Sequence, residues 1–113
     1  MTLAAGSLRN QVALQRPVTT QDPQTGEMVT TWQTFALAFA EVVPMSAREF
    51  VAAAAEQSEV RGRMVIRYRA GVDATMRVVH RGKWYAIHGV LEDRNSGIEY
   101  LTLMTGEGVR LDQ

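Results

Sequence analysis

MRVVHRGKWYAIHGV, residues 76–90, decides the fold, because it places two alternating runs of residues on either side of a possible two-residue turn. Arg81-Gly82 suits the turn of a β-hairpin, which predicts that His80 pairs with Lys83. Counting outward from this pair puts His88 on the opposite face of the hairpin, near its other end. The two histidines of the chain therefore cannot share a metal ion or act as an acid–base pair within this hairpin, and we expect both to be structural or solvated.

Alternation of apolar and polar residues elsewhere predicts further short strands over residues 8–15, 28–34, 35–44, 59–69 and 97–105. The turn formers in TTQDPQTGE separate the first two of these strands and predict a hairpin with a mobile tip. Helices between most strands, which a βαβ fold needs, are absent from the pattern. The sequence predicts a mainly β fold: a small antiparallel barrel or sandwich of about six to seven strands.

One short helix is predicted between the third and fourth strands, over residues 47–57. Ser46 can cap its N-terminus, Glu49 completes a capping box, and Met45 and Phe50 stand at the positions of a hydrophobic staple. The alanine-rich body favours a helix but offers few large apolar side chains. We expect the helix to bind the barrel weakly and to serve as an interaction arm.

The strand over residues 59–69 carries a row of arginines on one face: Arg61, Arg63, Arg67 and Arg69. One interpretation is a solvated face whose long aliphatic stems cover apolar surface. The other is contact with DNA phosphates or with an acidic subunit seam, since like charges in a row repel one another unless something opposes them.

Composition limits the possible functions. The 113 residues fit a single domain, residues 1–113, with a flexible N-terminus at 1–7 and a polar C-terminal tail at 106–113. No cysteine is present, which excludes disulfides, thiolate metal sites and cysteine nucleophiles. The net charge is zero, which argues against binding nucleic acid by bulk charge. We also expect neither a signal peptide nor a membrane span.

Enzyme signatures are missing from the sequence: it has no HExxH, GxSxG, P-loop or GxGxxG motif. Glu49 and Glu56 share one side of the predicted helix and could hold a cation, but a capping role for the first and a solvated role for the second explain them better. Trp32 and Trp84 lie within strand patterns and are expected to be core or seam residues. The sequence therefore predicts no catalytic, cofactor or metal site.

The order and spacing of five segments resemble the head-tail joining family of tailed phages, also called head-closure or head-tail adaptor proteins. The segments are GSLRNQVALQRP, DPQTGEMVTTW, FAEVVPMSAREF, VIRYRAGVDATMRVVHRGKWYAIHGV and LTLM. The resemblance runs from about Gly6 to Met104. This sequence departs from the family pattern at Ala47, where glycine often follows the serine, and at Arg81, where Asp or Asn often precedes the turn glycine.

The resemblance implies a structural virion protein of the phage neck. Such a subunit forms a homo-oligomeric ring under the portal, or under an adaptor bound to it, closes the DNA-filled head and offers a docking surface to the tail. Its partners are then the portal or adaptor, a tail-terminator or tail completion protein, and the packaged double-stranded DNA that passes through the ring. The subunit is a monomer or an oligomer before assembly in the bacterial cytoplasm.

On this hypothesis the helix is an arm that packs on a neighbouring subunit or on the portal, through Met45, Arg48, Phe50 and Val51. The arginine row then lines the DNA conduit or an intersubunit seam. Two alternatives stay open: a tail-terminator or other ring subunit of the neck or tail, and a small barrel that binds single-stranded nucleic acid through exposed aromatic and basic residues. A small enzyme is the weakest option, for want of an assembled site.

Overall fold

The computed structural model describes residues 8–56, 58–92 and 99–111. Within these residues the chain forms seven strands and one helix, which confirms the mainly β fold class. In chain order the elements are β1 (Asn10–Gln21), β2 (Met28–Pro44), α1 (Ala47–Ala55), β3 (Gly62–Arg67), β4 (Arg77–His80), β5 (Lys83–Glu92), β6 (Tyr100–Thr105) and β7 (Val109–Arg110).

Six of these strands close into an antiparallel barrel in the order β1, β2, β3, β6, β5, β4. Closure depends on two pairings of β4, which pairs with β5 across the turn at Gly82 on one edge and with β1 on the other. The predicted hairpin register is confirmed, since His80 lies opposite Lys83. Arg81 at φ 51° and Gly82 at φ 78° make the turn, and glycine adopts such angles without strain.

The core fills the inside of the barrel with residues of one parity from each strand. The largest fully buried side chains are Leu14, Met64, Ile66, Leu103, Val12 and Val78. Burying each such aliphatic side chain stabilises the fold by about 1.5–3 kcal/mol. The alternation of apolar and polar residues in the sequence therefore corresponds to alternate residues that face the core and the outside of the barrel.

The second and third predicted strands are one strand, β2. A bulge explains the difference: Leu14 pairs with Ala36 and Gln15 pairs with Thr34, so Phe35 is an extra residue on β2. An extra residue reverses which parity faces inward, and the sequence pattern therefore shows an apparent boundary there. As a result the helix follows the second strand rather than the third.

Within the predicted C-terminal tail, Val109 and Arg110 form β7 on the edge of β5. The backbone N–H of Leu111 donates to the carbonyl of Gly82 at 3.0 Å, which holds the segment against the hairpin turn. The predicted flexible residues 1–7 lie outside the described residues.

The β1–β2 hairpin extends beyond the barrel, and we call residues 16–21 and 28–33 the ribbon. The ladder between β1 and β4 ends at Gln15, and β2 pairs with β3 only from Ala40 onward, so in the described chain the ribbon pairs with no third strand. In the turn at the end of the ribbon, the backbone N–H of Gly26 donates to the backbone carbonyl of Asp22 at 2.8 Å. The ribbon contributes to an elongated molecule of 54 × 32 × 23 Å.

Candidate functional site

Helix α1 begins with the capping box that the sequence predicts. The Ser46 hydroxyl accepts from the N–H of Glu49 at 3.2 Å, and the Glu49 carboxylate accepts from the N–H of Ser46 at 3.3 Å. Hydrogen bonds with Ser46, and secondarily the charge of Arg63, lower the pKa of Glu49. The helix ends at Ala55, two residues before the predicted end, with Glu56 as its C-cap.

The side chains of α1 are largely exposed. Ala53 is its one buried residue, whereas Val51 is 68% exposed and Phe50 is 48% exposed. The Phe50 ring is partly covered by the guanidinium of Arg61, whose carbon lies 5.1 Å from the ring centre. Helix α1 therefore leaves apolar surface exposed, and Val51 is its most exposed large apolar side chain.

The arginine row divides into two pairs with different surroundings. Arg61 donates to the Ser58 carbonyl at 2.7 Å, and Arg63 lies 3.6 Å from the Glu49 carboxylate, so this pair contacts α1 and the loop after it. Arg67 is the last residue of β3, and Arg69 follows just beyond that end of the strand.

Arg67 and Arg69 adjoin an exposed apolar surface that the sequence reasoning missed. Leu37, Phe39 and Tyr68 are all exposed, with Phe39 at 57%. Together with the two arginines they line a groove of about 340 Å³. We call these five residues the patch. Alternation along β2 was visible in the sequence, but it could not show which residues another element would leave uncovered.

The tip of the ribbon is a second exposed surface. Met28 is 61% exposed and Val29 is also exposed. Asp22 and Glu27 lie beside them at the turn, and no lysine or arginine occurs anywhere in residues 17–47. We call these four residues the ribbon tip; it combines apolar side chains with negative charge.

Trp32 and Trp84 lie at a seam, as the sequence predicts, with Arg77 between them. The Arg77 guanidinium carbon is 4.5 Å from the centre of Trp32 and 5.4 Å from that of Trp84. Its Nε donates to the Gln15 side-chain oxygen at 2.8 Å. Burial lowers the pKa of Arg77. This contact joins four strands on the outer surface of the barrel, and no motif in the sequence indicated it.

The two histidines are separated, as the hairpin register requires. Burial, and then the charge of Arg81, lower the pKa of His80. His88 Nε2 lies 3.9 Å from a carboxylate oxygen of Glu59, which comes from the loop before β3 and could not be placed from the hairpin alone.

Within residues 8–56, 58–92 and 99–111 no three His, Asp or Glu side chains are grouped so that they could hold a metal ion. Helix α1 is too short to cross a membrane, and it is the one helix in the described part of the chain.

Comparison with known proteins gives a family and two similar folds. The model of the phage head completion protein family matches residues 3–108. The solution structure of protein SF1141 from Shigella flexneri 2a superposes with a TM-score of 0.74 at 28% identity, over 95% of this chain and 98% of that one. A chain from the virion of a native gene transfer agent particle superposes with a TM-score of 0.63 at 23% identity, over 91% of this chain and 96% of that one.

The gene transfer agent chain supports the fold alone at that identity. A search of curated proteins found no match. The family model spans almost the whole chain, including α1 and strands β1 to β6, and ends just before β7. The chain therefore belongs to the phage head completion protein family.

Proposed function

We propose that this protein is a structural subunit of the phage neck, which assembles as a ring under the portal, or under an adaptor bound to it. The ring closes the DNA-filled head and provides the docking surface for the tail. Family membership over residues 3–108 is the observation that carries this proposal. Elements that project from a closed barrel, namely the ribbon and α1, support it, because a ring subunit needs surfaces outside its own core.

In this proposal α1 is the arm that contacts a neighbouring subunit or the portal, through Met45, Arg48, Phe50 and Val51. Val51 is the best probe, because its side chain is more exposed than that of Phe50, which also contacts Arg61. Val51→Asp should abolish incorporation into the neck and leave the isolated subunit folded. Leu91→Asp, at another exposed apolar position on β5, is the matched control and should assemble normally.

The proposed role of the arginines is to face packaged DNA or a subunit seam, and the two pairs can be tested separately. Replacing Arg67 and Arg69 with Gln should weaken DNA retention or docking, and the difference from wild type should be largest at low salt, because salt screens the contacts of the wild-type arginines. Replacing Arg61 and Arg63 with Gln should act mainly through the arm, because these two side chains contact it. Normal retention and docking in both double variants would leave the row as a solvated face.

We further propose that the protein acts without catalysis, as a component of the virion that assembles in the host cytoplasm. Its ring would form on the portal as a template, with the subunit monomeric beforehand. Its remaining partners are the tail-terminator or tail completion protein and the double-stranded DNA passing through the ring. All these contacts are made by surfaces rather than by a binding pocket for a small molecule.

Electron microscopy of a lysate in which this gene alone is disrupted tests the proposal. Unjoined tails beside heads that have packaged or leaked their DNA are the expected result. Joined particles of normal appearance would overturn the proposal. Tails of abnormal length would also overturn it and would assign the protein to tail termination. Complementation with the wild-type gene must restore joined particles.

A further inference from the structure

The ribbon tip and the patch are exposed surfaces of opposite charge that share an apolar character. The ribbon tip presents Met28 and Val29 beside two carboxylates. The patch presents Leu37, Phe39 and Tyr68 beside two guanidinium groups. The two surfaces are complementary, because each offers apolar side chains to the other and their charges are of opposite sign.

The two surfaces cannot meet within one chain. Val29 and Phe39 lie on the same extended strand, β2. A strand rises roughly 3.4 Å per residue, so the ten residue steps from Val29 to Phe39 separate them by about 30 Å even with one bulge. The ribbon tip of one subunit can therefore reach a patch only on another molecule.

We infer that the ribbon tip of one copy of this chain docks on the patch of the next copy. The inference rests on the proposed ring and names the contact between its subunits. Because the two surfaces differ, the contact is head-to-tail, and repetition of a head-to-tail contact yields a ring when the rotation closes. Asp22 and Glu27 of one subunit face Arg67 and Arg69 of its neighbour.

The apolar side chains supply most of the affinity in this contact. Ion pairs between exposed side chains contribute little and are screened by salt, whereas charge complementarity fixes orientation and excludes wrong pairings. A contact of this kind should persist at high salt once formed, although it forms more slowly there. Reversing the charge of one side should hinder assembly, and reversing both should restore it.

Cysteine cross-linking in assembled particles tests the contact directly, because the wild-type chain contains no cysteine. Particles are produced by complementation with a chain that carries Val29→Cys and Phe39→Cys, and are then oxidised. The expected product is a ladder of covalent oligomers up to the full ring, since every subunit carries both halves of the contact. A 1:1 mixture of the two single-cysteine chains should give covalent dimers of one chain of each kind and no longer product.

A second pair, Val29→Cys with Leu91→Cys, is the geometric control and should give no ladder. Charge exchange supplies an independent readout: Glu27→Lys and Arg67→Glu should each lower the yield of joined particles at least tenfold, and the double variant should recover most of that loss. The absence of a ladder in particles that contain the chain would overturn the inference, and so would failure of the double variant to recover.

The same particles separate the inference from the proposed function. If the chain is present in joined particles and gives no ladder, the ring assembles through another surface and only the inference fails. If purified joined particles lack the chain altogether, the proposed function fails first. A ladder that appears equally with the control pair would indicate non-specific association and would also overturn the inference.

Discussion

Arg77 joins strands on the outside of the barrel, and its removal should cost stability although it lies outside the core. Arg77→Ala removes two ring contacts and one hydrogen bond, so we expect the free energy of unfolding to fall by about 1–3 kcal/mol. Urea denaturation followed by tryptophan fluorescence measures the change, since both tryptophans contact this side chain.

Two variants calibrate that measurement. Arg77→Lys keeps the charge but loses the planar group that packs between the rings, and should fall between wild type and Arg77→Ala. Arg16→Ala removes a single contact with Phe35 at 6.0 Å and should cost less than about 1 kcal/mol. Equal effects of Arg77→Ala and Arg16→Ala on the free energy of unfolding would show that the contacts of Arg77 with the two tryptophans add no more stability than a single surface contact.

His80 should make stability depend on pH. Its pKa is lowered from 6.5 by burial and by Arg81, so the unfolded chain takes up a proton before the folded chain does as the pH falls. The free energy of unfolding therefore declines below about pH 6.5 and stops declining once the pH passes below the folded pKa. His80→Gln should reduce the loss of stability between about pH 7.5 and about pH 5.5, measured by urea denaturation.

The cause of that shift can be checked by NMR titration of the His80 ring. Arg81→Asn removes the nearby charge, and asparagine tolerates the positive φ of this turn position well. We expect the pKa of His80 to rise toward 6.5 without reaching it, because burial is the larger cause. An unchanged His80 titration would rule out the charge of Arg81 as a cause.

Single residues differ in how far the sequence predicts their surroundings. The partners of His80 follow from a local turn, and counting from Arg81-Gly82 is enough to give them. The contact of Arg77 with Trp32 depends on residues far apart in the chain and on the direction each side chain takes after a bulge. Local periodicity carries no information on such a contact.

At the scale of elements, the sequence predicts regular alternation and fails where alternation is interrupted. The bulge at Phe35 made β2 look like two strands, because the face toward the core changes parity there. Strand β7 has two residues and exists only through its pairing with Lys83 and Trp84. The patch could not be predicted either, since its exposure depends on where the neighbouring strands end.

Helix α1 should depend on its cap more than on the barrel. Ser46→Ala removes the side chain that accepts from Glu49, which costs an N-capped helix about 1 kcal/mol. Because α1 buries only Ala53, we expect faster amide hydrogen exchange over residues 47–55 with no change in the core strands. Ser58→Ala, just beyond the helix, is the control and should leave exchange in α1 as it was.

Slower or unchanged exchange in α1 of Ser46→Ala would show that contacts with the barrel hold the helix. A fall in the protection of β3 or β6 would show that helix and barrel unfold together. Either result would argue against a weakly anchored arm.

At the scale of the whole molecule, we expect the closed barrel to provide the stability of the fold and the projecting ribbon to provide a contact for assembly. The fully buried Leu14 belongs to the barrel, and Leu14→Ala should lower the free energy of unfolding by about 2–5 kcal/mol through lost burial and a cavity. The outer residues of the ribbon, 19–21 and 28–30, are all exposed, an arrangement that adds little stability.

Shortening the ribbon tests this division. Val18 pairs with Thr31, so an Asn-Gly turn can replace residues 19–30 without changing the register of the remaining hairpin. We expect the free energy of unfolding in urea to change by less than about 1 kcal/mol. The shortened chain should nevertheless fail to enter particles, whereas Leu14→Ala should enter them at temperatures where it is folded. Loss of folding on shortening would make the ribbon part of the stable structure, and normal incorporation would place the subunit contact elsewhere on the barrel.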